Sequence, residues 1–243
     1  MILAGGPGIR LSSVIRDVPK PMAPVAGRPF LEYLLEQMHE AGCTDVVLCV
    51  GYKAHIIENH FGDGRKYGVG IRYSLEQDLL GTAGALALAR PLIRSDPFLV
   101  LNGDSYCPFD LQALLTQHQA RQAVATIVAT KMQEASPYGS IVLNVNDAVI
   151  HFYEKNQTNK VAYVNAGIYL LNLVVLDMVP TGKPCSIEHE VFPALAGRGL
   201  YAFRQPGPFI DIGYPTSFEA AQTLLPKLLN SRQIGGMKVS LCS

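Results

Sequence analysis

The sequence predicts an α/β fold with a mixed, mainly parallel sheet flanked by helices, and three observations predict it. Short apolar runs alternate with helical patterns through the first 130 residues, which is how βαβ units read. A first apolar run leads straight into glycines, and a later one ends in Asn102-Gly103-Asp104, as strands do at the ligand-binding edge of an open sheet. Of the 243 residues, 49% are hydrophobic and 16% charged. A chain of that size can bury about 70% of its unfolded surface. One Rossmann-like domain is therefore expected.

Taken in order, Met1-Ile2-Leu3-Ala4 begins a strand. Pro29 opens a helix whose Phe30, Leu31, Leu34, Leu35 and Met38 follow the 3.6-residue period, with Gly42 as its C′ residue. Asp45–Val50 reads as a strand, 53–60 as a short helix, 71–75 as a strand, 82–89 as a helix and 97–101 as a buried strand. A helix over 110–120 and a strand over 123–130 close the first half. After Pro137 the pattern changes to strands with few helices between them, at Ser140–Leu143, Val149–Tyr153 and 164–171, which predicts antiparallel or mixed additions to the sheet. Ser186 is placed to cap a helix with Glu188 and Glu190 in its first turn, and Thr216 with Glu219 forms a T-x-x-E box for a final helix. Nothing reads as a linker, so residues 1–230 are one domain, with a nucleotide-binding half over about 1–130 and a sugar-phosphate half over about 131–230. Residues 231–243 lack periodicity and are expected to form a flexible tail. No hexapeptide array occurs, so no β-helix is expected.

Composition excludes several classes. Twenty Lys and Arg balance twenty Asp and Glu, which argues against an extended nucleic-acid surface. No apolar run reaches the ~18 residues of a membrane span, and no secretory leader is apparent, so a soluble cytoplasmic protein without membrane partners is expected. Five cysteines without a C-x-x-C pair suggest neither a disulfide framework nor a zinc site. The six histidines have no metal-ligand spacing, and no G-x-S-x-G or Cys/His signature supports acyl transfer.

The informative segment is Gly5-Gly6-Pro7-Gly8-Ile9-Arg10-Leu11. Closely spaced glycines let backbone wrap a phosphate, and Arg10 adds a forked cation. By itself such a turn after a first strand is often only a tight turn. Lys20 follows between two prolines, where a surface lysine is the plainer reading. Asp104 and Asp211 each follow an apolar strand, and an isolated Asp there is more often a turn or helix cap.

Together these segments resemble the sugar-1-phosphate nucleotidyltransferases, whose signature is a G-G-x-G-T-R-L loop followed by a K-P segment. The resemblance runs to about Leu225. It adds residues 18–24 (VPKPMAP), Leu80-Gly81-Thr82-Ala83-Gly84, Leu101-Asn102-Gly103-Asp104, Glu154-Lys155, Val164-Asn165-Ala166-Gly167 and Phe209-Ile210-Asp211-Ile212-Gly213. Within the family, residues 18–33, 186–195 and 209–213 look most like the D-glycero-α-D-manno-heptose 1-phosphate guanylyltransferase branch.

The resemblance implies a GT-A-like domain that makes a GDP-heptose and pyrophosphate from GTP and the heptose 1-phosphate, for a surface polysaccharide such as a capsule, S-layer or lipopolysaccharide glycan. It implies Mg²⁺ held by Asp104 and Asp211. Arg10, Lys20, Asp104 and Asp211 would be the catalytic residues, with Leu3, Ala4, Gly5, Gly6, Gly8, Gln77, Gly81 and Thr82 binding nucleotide. Gly139, Glu154, Lys155 and Asn165 would bind the sugar phosphate. Gln77 and Gly81 fall where the family reads the base edge, yet neither alone separates guanine from uracil or thymine. The cations Arg10, Lys20 and Lys155 outnumber the two aspartates, so a neutral chain can still bind a small polyanion locally.

Three residues depart from the pattern: Pro7, which has no N–H, Ile9 in place of a threonine, and Asn156 after Glu-Lys. Mannose-1-phosphate guanylyltransfer, uridylyl or thymidylyl transfer, a nucleotide-sugar-dependent glycosyltransferase and a non-catalytic nucleotide-sugar sensor are the competing readings. A homo-oligomer stays open.

Overall fold

The computed structural model describes residues 1–132, 138, 140–153 and 162–239, with backbone alone at 153 and 232–239. Its strands are β1 (Ile2–Leu3), β2 (Pro24–Val25), β3 (Arg28–Pro29), β4 (Asp45–Val50), β5 (Gly70–Leu75), β6 (Phe98–Asn102) and β7 (Ser105–Tyr106). They continue with β8 (Ala125–Met132), β9 (Ser140–Leu143), β10 (Val149–Tyr153), β11 (Ala162–Leu171), β12 (Leu200–Arg204) and β13 (Ile210–Asp211). The α-helices are α1 (Phe30–Glu40), α2 (Ala54–Phe61), α3 (Gly81–Leu88), α4 (Leu111–Ala120), α5 (Phe192–Leu195) and α6 (Pro215–Val239).

Nine strands form one sheet, ordered β10-β9-β11-β6-β1-β4-β5, with β8 also on β11 and β12 on β8. β1, β4, β5 and β6 run parallel, β11 runs against β6, β8 and β9, and β10 runs against β9. Only β10 and β11 therefore oppose the common direction, and the expected mainly parallel sheet with antiparallel additions is what forms.

Alternation along the central strands explains the layers. Val46, Leu48 and Val50 of β4 enter one core with α1, α2, α4 and α6, while Val47 and Cys49 pack on Ala85 and Ala89 beside α3 on the other face. In β6, Leu101 joins the first core, whereas Phe98 and Val100 pack with Leu86, Val175 and Phe192 in the second. Both faces of these strands are thus covered, and they read as unbroken apolar runs, as buried parallel strands do.

Local signals account for the helix ends. Gly42 takes φ 79° after α1, and its amide bonds the carbonyl of His39. Asp110 caps α4 by accepting from the amide of Ala113 at 2.9 Å. Ser186 accepts from the amide of His189, but the turn it starts, Ile187–Val191, is wound as a π-helix leading into α5.

One expectation needs correction, one strand had no sequence signal, and the last helix runs on into residues 231–239. β12 was not apparent because Leu200–Arg204 is short and follows two glycine-containing turns, and its pairing with β8 is long-range. The T-x-x-E box does not start α6: the helix begins at Pro215, and it is Ser217 that accepts from the amide of Tyr214. α6 continues past Asn230 to Val239, because extending a formed helix costs little even without apolar periodicity.

Replacing the capping Asp110 by Ala should lower unfolding free energy by about 1 kcal/mol. Truncating Leu35, which is fully buried, to Ala should cost about 2–5 kcal/mol. Urea unfolding measures both, and equal losses would contradict this division between a surface cap and the core.

Candidate active site

The carboxyl ends of β1 and β6 open into a cleft of about 880 Å³. Nearly every described residue assigned from sequence meets there: Leu3, Ala4, Gly5, Gly6, Gly8, Arg10, Lys20, Gly81, Thr82, Asp104, Asn165 and Asp211 all line it. Gly139, Glu154 and Lys155, and the variant position Asn156, lie outside the described residues.

Gly5 and Gly8 of the loop after β1 are required by close approach. A Cβ on Gly5 would stand 2.0 Å from Oε1 of Glu76, and one on Gly8, whose φ is 61°, would stand 2.9 Å from Cβ of Lys20. Lys20 therefore passes directly over the loop. Its Nζ lies 2.5 Å from Oδ2 of Asp104, with the lysine side chain 10% exposed. Arg10 sits at the rim, where its guanidinium donates to the hydroxyl of Tyr214 at 2.5 Å and lies 4.7 Å from that ring's centre.

Asp211 reaches Asp104 through backbone pairing. β13 lies antiparallel to β7 with Asp211 opposite Ser105, and the amide of Ile212 donates to the carbonyl of Asp104 at 2.9 Å. The buried Asp211 carboxylate accepts from the amide of Gly213 at 2.7 Å, the hydroxyl of Ser217 at 3.3 Å and the hydroxyl of Tyr138 at 2.6 Å. Burial, followed by the bond to Asp211, pushes the Tyr138 phenol upward, so it stays a donor. A Cβ on Gly213 would lie 3.6 Å from Nζ of Lys20 and 2.6 Å from Oδ2 of Asp211, so the backbone there passes close to both groups.

This donor set fits a magnesium ion. Mg²⁺ commonly takes one or two carboxylates and completes its octahedron with phosphate oxygens and water. The two aspartates meet that need, and no group of three or more His, Cys, Asp or Glu placed for a metal occurs among the described residues.

Gln77 is the assigned residue that the fold does not bring into the cleft. The β5 ladder continues one step past Leu75, with the amide of Glu76 donating to the carbonyl of Val50 at 2.9 Å. Pleating then turns Ser74 and Glu76 inward and Leu75 and Gln77 outward. Glu76, not Gln77, lines the cleft, and counting in twos from Ser74 would have found it.

Sequence reasoning also missed Tyr214, Tyr138 and the role of Glu188, because each acts across a long sequence separation. Glu188 accepts from the hydroxyls of Thr82 at 2.7 Å and Ser186 at 3.1 Å. The first amides of α3 are likewise met from afar: those of Ala83 and Gly84 donate to the carbonyl of Cys185.

Burial pushes the Glu76 carboxyl above its ordinary 4.5, against the opposing bond from the amide of Leu80. The folded chain then keeps a proton that the unfolded chain releases, so this group's contribution to stability falls as pH rises from 4.5 through the raised value. Glu76→Gln lacks that proton. The urea midpoint of the variant relative to the parent should therefore increase across this window, and a pH-independent difference would contradict the assignment.

Comparison with known proteins agrees with this geometry. The chain is 40% identical over 238 residues to a mannose-1-phosphate guanyltransferase of Pichia angusta, covering 96% of this chain and 65% of that one. It is 36% identical over 221 residues to the mannose-1-phosphate guanylyltransferase of Mycobacterium tuberculosis, covering 90% and 62%. The chain thus spans just under two thirds of the length of these curated relatives. Among solved structures, HddC from Yersinia pseudotuberculosis in complex with GMP-PN superposes with a TM-score of 0.79 at 30% identity, over 91% of this chain and 96% of that one. No described helix is long and apolar enough to cross a membrane. The nucleotidyl transferase family matches residues 1–227, and with the phosphate loop, Lys20 and both aspartates gathered at one sheet edge, the chain belongs to that family.

Proposed function

We propose that the chain transfers a guanylyl group from GTP to a manno-configured sugar 1-phosphate, forming a GDP-sugar and releasing pyrophosphate. Glu76 carries the choice of base. Guanine offers N1–H and N2–H side by side, which suit the acceptor oxygens of a carboxylate, whereas uracil and thymine flank a single N–H with two carbonyls that a carboxylate repels. Similarity to mannose-1-phosphate guanylyltransferases supports mannose 1-phosphate as the sugar. The heptose 1-phosphate implied by residues 18–33, 186–195 and 209–213 shares the ring configuration and is the competing substrate.

In this reading a sugar-phosphate oxygen attacks the α-phosphorus of GTP as the bond to the β-phosphate oxygen breaks, and pyrophosphate leaves with that electron pair. The attacking oxygen is already ionised, so no general base is required. The backbone of Gly5, Gly6 and Gly8 cradles the phosphates, and Arg10 and Lys20 neutralise them. Pro7 contributes no amide to that cradle. Asp104 and Asp211 would hold Mg²⁺, which supplies charge neutralisation on the phosphate oxygens. Positioning and electrostatics do the rest.

Pyrophosphate release should be followed with GTP, ATP, UTP and dTTP against mannose, heptose and glucose 1-phosphates in the presence of Mg²⁺. GTP with a manno-configured sugar phosphate should be the best pair, and a preference for UTP or dTTP would overturn the role given to Glu76. Asp211→Asn should lower kcat by about 10²-fold or more, since it removes a charged ligand from the metal that would neutralise the reacting phosphates. Near-normal turnover in that variant would remove Asp211 from the metal site.

A further inference from the structure

The glycine loop does not hold its own cation. Arg10 sits in a single tight turn, Ile9–Leu11, which the burial of Leu11 anchors, while the arginine itself is exposed. Gly5, Gly6 and Gly8 have no side chain and Pro7 and Ile9 have no polar one. The hydroxyl of Ser12, the next polar group along the chain, donates to the carbonyl of Ile9 at 2.7 Å. An arginine left in that condition has many rotamers, and ordering it on a phosphate costs affinity.

The group that orders it comes from 204 residues away. The hydroxyl of Tyr214 accepts from the Arg10 guanidinium at 2.5 Å, and the guanidinium carbon lies 4.7 Å from the centre of that ring. One contact fixes where the guanidinium sits and the other fixes its plane. A guanidinium carries five N–H groups in a flat fork, so one given to Tyr214 leaves the rest for a polyanion.

Tyr214 is itself held by the turn that carries it. It precedes Pro215, which confines its backbone to extended conformations. Its amide donates to Oγ of Ser217 at 3.2 Å, and its carbonyl accepts from the amide of the buried Phe218 at 2.9 Å. One residue earlier, the amide of Gly213 donates to Asp211 at 2.7 Å. The cation at the cleft rim and one of the two aspartates are thus set from a single short turn between β13 and α6.

We propose that Tyr214 is the positioning residue for Arg10: it holds the guanidinium in one orientation before the triphosphate arrives, so that nucleotide binding does not have to order it. Tyr214 acts through Arg10. Its contribution therefore falls on GTP and not on the sugar phosphate, and it vanishes when Arg10 is absent. Because the same turn carries Asp211, the competing explanation is that Tyr214 merely supports the metal-binding carboxylate, and the two make different predictions.

This inference rests on the nucleotidyl-transfer reading above and can fail separately from it. The test is a double-mutant cycle on kcat/KM for GTP, with mannose 1-phosphate and Mg²⁺ saturating. Tyr214→Ala should lower kcat/KM about 30-fold, and Tyr214→Phe, which keeps the ring, about 5-fold. KM for mannose 1-phosphate should stay within about twofold of the parent in both. In an Arg10→Ala background, adding either Tyr214 substitution should change kcat/KM by less than about twofold. A loss acting through Asp211 would instead persist without Arg10 and would raise the Mg²⁺ concentration needed for half-maximal rate, which overturns the inference. Parent-like kinetics in Tyr214→Ala overturn it as well. Should Tyr214→Ala fail to fold, the cycle with Tyr214→Phe decides alone. A parent that turns over GTP with no sugar phosphate overturns both this inference and the proposed function.

Discussion

One ion pair organises the cleft: Nζ of Lys20 against Oδ2 of Asp104 at 2.5 Å. Lys20 belongs to the segment that follows the phosphate loop and crosses over Gly8, whereas Asp104 stands just past the end of the β6 strand. Their attraction, in a setting where the lysine side chain is only 10% exposed, ties a loop with little secondary structure to the rigid carboxyl edge of the sheet. It also sets the charge balance. Among the described residues, the cations Arg10 and Lys20 face the carboxylates Asp104 and Asp211, so the cleft's reacting end carries no large excess of either sign. In the proposed reaction a triphosphate brought into such a place would need further positive charge, which a divalent cation would supply. The neutral composition of the whole chain and a polyanionic substrate are therefore compatible.

The motifs read from sequence work together because parallel strands deliver them to one edge. The glycine loop leaves β1, Asp104 follows β6, and Asp211 pairs back across β7, so segments more than two hundred residues apart share one cleft. Side-chain networks then fix the angles. Asp211 is held by three donors, Arg10 by Tyr214, and Asn102 and Asn165 by Tyr169, which places preorganised groups on a scaffold of strands and tight turns.

Much of this was legible in the residues. Periodicity gave the layers, because an apolar stripe at 3.6 residues in α1 and unbroken apolar runs in β4 and β6 have few other ways to be buried. The short motifs picked out the glycine loop and both aspartates, which the fold brings to one cleft. Three things were not legible. The register at the end of β5 depended on one extra ladder bond from Glu76 to Val50, and a slip of one residue in reading it exchanges Glu76 for Gln77. β12 is held by its pairing with β8, which no local pattern announces. Tyr138, Tyr214 and Tyr169 look like ordinary aromatic residues until a guanidinium, carboxylates and amides from elsewhere in the chain meet their hydroxyls.

The central claim is that the β5 edge, through Glu76, receives the base while Arg10 and Lys20 receive the phosphates. A crystal structure of the chain with GDP-mannose and Mg²⁺ tests it most directly. The account predicts the guanine edge against the carboxylate of Glu76 and the backbone of Gly81, the diphosphate over Gly5 to Gly8, and the metal between Asp104 and Asp211. A guanine ring bound away from Glu76, or a metal held by neither aspartate, would contradict it.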